Sequence, residues 1–189
     1  MPNLYNSLTI EGTAHDLQHI AETNFDFQKI HPCPFILDTE ESDTWCERYW
    51  GCKSLATDID IDYVPGETTM DVSFVTQEDL ADAEDLPDAI LTFLTKQYPS
   101  LTIINEWNND GYETAGINVY SYGSMNCKYI ESWNYSDEVL DAFSENNPWF
   151  PYLEYYERWG ETVDEREEED LLPVVEVIEY TKTYEELIA

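Results

Sequence analysis

The chain has 189 residues, with 41 Asp and Glu against 8 Lys and Arg and a formal net charge of -33. Its 42% hydrophobic and 14% aromatic content is enough to build a packed core, which excludes disorder of the chain as a whole. Charge of this sign repels nucleic acid and anionic membranes and attracts basic protein surfaces. Solubility alone asks for a net charge of only about 2 to 8, and the acids are spread along the chain, so an acidic tail on a neutral domain is excluded. No apolar run is long enough to span a membrane, and MPNLYNSLTI lacks the basic start and apolar region of a leader, so the sequence predicts a cytoplasmic protein. Cys33, Cys46, Cys52 and Cys127 show no short paired spacing and read as free, mostly buried thiols.

In chain order, Leu4, Leu8 and Ile10 among polar residues predict a strand over Asn3 to Glu11. Thr13 followed by Asp16 reads as a capping box, and Leu17, Ile20 and Ala21 fall at helical spacing, so a helix is expected from about Thr13 to Asn24. A loop with Pro32 and Pro34 leads to the aromatic segment opening at Trp45, which turns at Gly51. From about Leu55 to Val64, Asp58, Asp60 and Asp62 alternate with Ile59, Ile61 and Tyr63, which puts the apolar set against a core and the three carboxylates on the other face. At about 3.3 Å rise per residue those carboxylates would stand roughly 6.6 Å apart, similar to successive phosphates of one DNA strand. Pro65-Gly66-Glu67 turns the chain into a third strand over Thr69 to Thr76, with Met70, Val72 and Phe74 on one face.

The acidic stretch Gln77 to Asp85 follows, then a helix begun by Pro87 with Leu86, Ile90, Phe93 and Leu94 as its stripe, ended by Pro99. Leu101 to Trp107 supplies a fourth strand, so the order is strand, helix, strand, strand, helix, strand, the split ferredoxin-like βαββαβ arrangement. Ala115 to Tyr122 and Cys127 to Trp133 read as a second hairpin around Gly123-Ser124, and Ser136 caps a short helix. In NPWFPYLEYYERW, Tyr152, Tyr155, Tyr156 and Trp159 recur at i, i+3, i+4 and i+7, one aromatic stripe that serves either core packing or a partner. Val174 to Tyr180 reads as a last strand and Tyr184 to Ile188 as a terminal turn. The expected class is α+β: a domain over 1–122, with an acidic, aromatic-rich extension over 123–189 packed on it.

Residues 3–122 resemble the YubB-type ferredoxin-like proteins of phages and plasmids. The shared features are the N-terminal Asn-Leu strand, the Pro-containing loop, Tyr49-Trp50-Gly51-Cys52-Lys53 before an Asp-rich strand, Phe74 to Thr76, Leu86-Pro87, Tyr98-Pro99-Ser100-Leu101 and Glu113 to Gly116. Cys52 stands where the family commonly has Thr, and the acidic Gln77 to Asp85 segment replaces an aromatic-Ser-Pro-Pro element. The resemblance implies the fold and a mobile-element origin, and the replacement fits a scaffold turned into a display of charge.

Catalytic and metal chemistry find little footing. The 1, 3, 5 spacing of Asp58, Asp60 and Asp62 lacks the glycine of a calcium loop, and position 12 is Thr69. His15 and His19 have i, i+4 spacing without a third ligand set by sequence. No nucleophile elbow, zinc-protease motif, phosphate-binding loop or dinucleotide fingerprint occurs. Arg48 and Lys53 read as structural cations that pair with nearby acids or stack on the rings of Trp45 and Trp50.

The expectation is therefore a non-enzymatic protein without cofactor or metal. It is a nucleic-acid mimic from a phage or other mobile element that inhibits a host defence enzyme, antirestriction or anti-CRISPR in type, in the host cytoplasm. Its partner would be a basic nucleic-acid-binding protein, with no direct binding of nucleic acid or membrane, and a homodimer is left open. The candidate contact residues are Asp58, Asp60 and Asp62, then Glu78, Asp79, Asp82, Glu84, Asp85 and Asp88, then Asp164, Glu165, Glu167, Glu168, Glu169 and Asp170. The alternative is an interaction module docking through Tyr152, Tyr155, Tyr156 and Trp159, with acidity serving solubility or salt tolerance. Salt response separates the two, because charge contacts weaken with ionic strength and aromatic docking hardly does.

Overall fold

In the computed structural model, which describes residues 3–77, 86–109, 114–131 and 177–189, the alternation of the first segment becomes strand β1 (Asn3–Glu11), buried at every second residue. Strands β2 (Thr57–Asp62), β3 (Thr69–Gln77), β4 (Thr102–Asn109), β5 (Thr114–Ser121), β6 (Ser124–Glu131) and β7 (Val177–Thr183) join it in one sheet of order β2-β3-β1-β4-β5-β6-β7. Every neighbouring pair is antiparallel, and the class is α+β.

Register aligns the core. Met70, Ile10, Ile103, Tyr120 and Met125 are cross-strand neighbours from β3 to β6, all buried. The helices pack on this face: Leu17 and Ile20 from α1 (Ala14–Glu22), Phe27 from α2 (Phe27–Ile30), Cys46 and Trp50 from α3 (Glu40–Trp50), and Ile90, Leu91 and Leu94 from α4 (Asp88–Gln97) enter the same cluster. The helices expected from about Thr13 and from Pro87, α1 and α4, therefore lie on one face. The last described helix, α5 (Tyr184–Leu187), is held by a capping box between Thr183 and Glu186 and buries Tyr184.

Helices α2 and α3 stand where the sequence predicts a proline-containing loop and an aromatic cluster. Asp26 caps α2, and Thr39 and Ser42 cap α3 reciprocally, with Glu40, Glu41 and Asp43 in its first turn and Gly51 left-handed at its end. At α1, Thr13 accepts the Asp16 amide as expected, but the Asp16 carboxylate turns to the Ser100 hydroxyl, which holds it below the ordinary carboxylate range.

The division at 122/123 falls in a tight turn between two strands of one sheet. Tyr122 (φ 51) and Gly123 (φ 73) join β5 to β6, and the described chain beyond 123 continues the sheet. The helix expected after Ser136 lies outside the described residues, and the last strand runs three residues past its expected end at Tyr180.

Candidate functional site

With the helices on one face, alternate residues of each strand are turned to the other. Asp60 and Asp62 of β2, Asp71 and Ser73 of β3, Ser7 and Thr9 of β1, Ile104 and Glu106 of β4, and Ile117 and Val119 of β5 share that second face by register. Asp60 and Asp62 are exposed, as expected, and Ile59, Ile61 and Tyr63 pack against the core.

The regular row of three carboxylates is broken at its first member. Three steps along β2 from Thr57 to Asp60 match two along β3 from Val75 to Ser73, so the strand carries a β-bulge, and Asp58 sits there with φ 50. Asp58 is exposed but has left the period-2 row. Its place as third carboxylate is taken by Asp71, directly opposite Asp62 and held by the Thr9 hydroxyl at 2.9 Å. The three acids thus form a triangle, with Asp60 and Asp62 about 6.6 Å apart along the strand and Asp62 and Asp71 about 5 Å apart across it.

Like charges directly opposite in a ladder destabilise it. Among the described residues no cation pairs with Asp58, Asp60, Asp62 or Asp71. The five adjacent strands β2, β3, β1, β4 and β5 contain no Lys or Arg at all. Farther along this face Glu106 lies between Ser7 and Ile117, and burial pushes its carboxyl above the usual range.

Asp88 does not belong to this surface. It is 7% exposed and opens α4 beneath the sheet, where its carboxylate accepts hydrogen bonds from Asn118 Nδ2 at 2.8 Å and the Tyr120 hydroxyl at 2.5 Å. Trp107 Nε1 in turn donates to Asn118 Oδ1 at 3.1 Å, and Asn105 Nδ2 donates to Asn6 Oδ1 at 2.9 Å. Burial first, then the Asp88 charge, push the Tyr120 hydroxyl far up. A buried charge is tolerated where hydrogen bonds replace its water, so Asp88 is removed from the contact set and becomes a structural acid. Its sequence neighbours Glu78, Asp79, Asp82, Glu84 and Asp85 lie outside the described residues. So do Asp164, Glu165, Glu167, Glu168, Glu169 and Asp170, and the aromatic alternative Tyr152, Tyr155, Tyr156 and Trp159.

A different aromatic assembly occurs within the described chain. The His31 ring lies 4.3 Å from Phe93 of α4 and 5.2 Å from Trp45 of α3, with Tyr49 at 5.7 Å. Its Nε2 is buried without a hydrogen-bond partner, and burial lowers its pKa. The aromatic density around Trp45 was legible, but not that His31 fills the space between two helices. Arg48 reaches the backbone carbonyls of Ile188 and Ala189 and lies 5.8 Å from the Tyr49 ring centre, in place of the expected acids and indoles.

The His15 and His19 rings are 4.6 Å apart, and among the described residues no group of three or more His, Cys, Asp or Glu is placed to hold a metal. All four cysteines are buried and free. No described helix is long and apolar enough to cross a membrane. Comparison with protein-family models, curated proteins and solved structures finds no match to this chain.

Proposed function

We propose that the chain is an inhibitor of mobile-element origin that occupies the nucleic-acid-binding surface of a host defence enzyme, of restriction or CRISPR type, by presenting carboxylates where that enzyme meets phosphates. The observation that carries this reading is a run of five adjacent strands that contain no Lys or Arg, bearing Asp60, Asp62 and Asp71 as a triangle with which no cation pairs among the described residues. A folding chain gains nothing from opposed carboxylates, so their placement favours an external cationic partner. Burial pushes the Glu106 carboxyl on the same face upward, and a partner's Lys or Arg would favour its charged form.

The scaffold in this reading is the split ferredoxin-like βαββαβ core of the YubB-type proteins. Strand order β2-β3-β1-β4 with α1 and α4 on one face supports it, and β5 to β7 then enlarge the sheet at the β4 edge. The reading is one of binding, without catalysis, direct nucleic-acid contact or membrane association, in the host cytoplasm.

The test is a panel of purified restriction and CRISPR nucleases assayed for DNA cleavage with the protein added. Inhibition of at least one, competitive with duplex DNA and weaker at higher salt, is expected. Each charged contact at a partly desolvated interface contributes about 1.5 to 3 kcal/mol. The Asp60→Asn, Asp62→Asn, Asp71→Asn variant should therefore inhibit at least about a hundredfold less, allowing for non-additivity. Asp58→Asn alone should cost much less, because the bulge takes it out of the triangle. Undiminished inhibition by the triple variant, with loss in a Tyr155→Ala, Tyr156→Ala variant, would move the function to the aromatic stripe.

A further inference from the structure

Before α3, the chain from His31 to Cys33 runs along that helix. The Trp50 indole donates to the His31 carbonyl at 2.8 Å, and the His31 ring packs on Trp45. Two residues of extended chain cover about 6.6 Å, and one helical turn about 5.4 Å. Passing from His31 to Cys33 therefore matches passing from Trp50 back to Cys46, and the two thiols enter the same buried cluster as neighbours. The loop is pinned there, with the Cys33 amide donating to Gln28 Oε1 at 3.0 Å. Cys52 and Cys127 are each fully buried.

We propose that Cys33 and Cys46 form a redox-responsive pair that hydrogen peroxide converts to a disulfide, locking the chain before α3 onto that helix. Cys33 is the entry point, since it is 9% exposed against 1% for Cys46. Its thiol gives up a proton, the thiolate attacks one oxygen of the peroxide, the O–O bond breaks, and the sulfur is oxidised by two electrons to a sulfenic acid while the departing hydroxide takes up that proton as one water. The Cys46 sulfur then attacks the sulfenic sulfur, the S–S bond forms, the S–O bond breaks, and the Cys46 proton leaves with the departing hydroxide as a second water. Two thiols and one peroxide thus give one disulfide and two waters. Cys46 suits the second role: burial, the Cys33 contact and the Asp43 charge push its thiol up to about 12, so it is a poor first nucleophile. The ring so closed carries the exposed Phe35 and Ile36.

The full-length protein, treated with hydrogen peroxide and alkylated under denaturing conditions, tests this. Before alkylation the intact mass should fall by two hydrogens, and alkylation should then label two thiols. Cleavage after Glu40 or Glu41, between the two cysteines, should leave the pieces joined until a reductant is added. The oxidised protein should melt about 5 °C or more above the reduced one, and Cys33→Ser should abolish the mass loss and the shift together. Four thiols remaining after treatment would overturn the proposal. So would a bond through Cys52 or Cys127, a link between two chains, or oxidation of Cys33 that stops at added oxygen without a disulfide.

Discussion

Gly51 ends α3 at φ 87, and a Cβ there would stand 2.3 Å from the Leu86 carbonyl oxygen and 2.9 Å from the Asp88 amide nitrogen. The left-handed conformation alone costs a residue with a Cβ about 1 to 2 kcal/mol, and the obstacle here is backbone, which cannot swing aside. Gly51→Ala should therefore lower stability by about 3 kcal/mol or more in urea unfolding. Because the contact sets the entry to α4, the change also bears on Asp88. Asp88→Ala leaves the Asn118 amide and the Tyr120 hydroxyl as buried donors without an acceptor and should cost about 3 kcal/mol. Asp88→Asn keeps an acceptor and should cost less. A surface contact would behave in the opposite way, with Asp88→Asn leaving stability intact and weakening the partner complex.

At the scale of elements, α3 and α4 meet through the His31 stack, and pH probes it. Burial holds the His31 pKa in the folded chain below its ordinary 6.5, so the unfolded chain takes the proton first as pH falls. The stability due to neutral His31 is complete above 6.5 and is lost as pH falls through that value toward the folded pKa. Glu106 works with the opposite sign. Its folded pKa lies above 4.5, so the protonated form favours folding, and stability is gained as pH falls through the folded value. Denaturant midpoints between pH 7.5 and about 5.5 should fall in the native chain relative to His31→Phe, which keeps a ring in the stack and removes the titration. Parallel midpoints for the two proteins would show that the stack tolerates imidazolium.

For the whole molecule the net charge of -33 dominates, and the same salt titration should act in two directions. Self-repulsion of a compact acidic surface opposes folding, and salt screens it over a Debye length of about 10 Å at 0.1 M. Melting temperature should rise by a few degrees between low and near-molar sodium chloride, while affinity for a basic partner falls. A melting temperature that falls with salt would mean that attractive pairs, and not repulsion, dominate the folded surface.

Much of the framework was legible because it is written in short-range signals. The alternation of β1 and the faces of β3, the caps Thr13 and Pro87, and the sign of the surface charge all follow from neighbours within a few residues. Helix α3 is bracketed by Thr39, three acids and Gly51, signals that sequence carries, but its apolar residues are aromatic and clustered at one end, so they do not mark a helical stripe along its length. The bulge at Asp58 was not legible, because DIDID alternates equally well with or without an extra residue, and only pairing with β3 sets the count. Nor was the burial of Asp88, which reads as one more acid in an acidic run. Asn118 and Tyr120 reach it from a strand that sequence places thirty residues away. Local spacing determined which residues could form strands, helices and an acidic surface; long-range pairing decided which of those acids face solvent, because burial is a property of what packs above a residue and not of its neighbours in the chain.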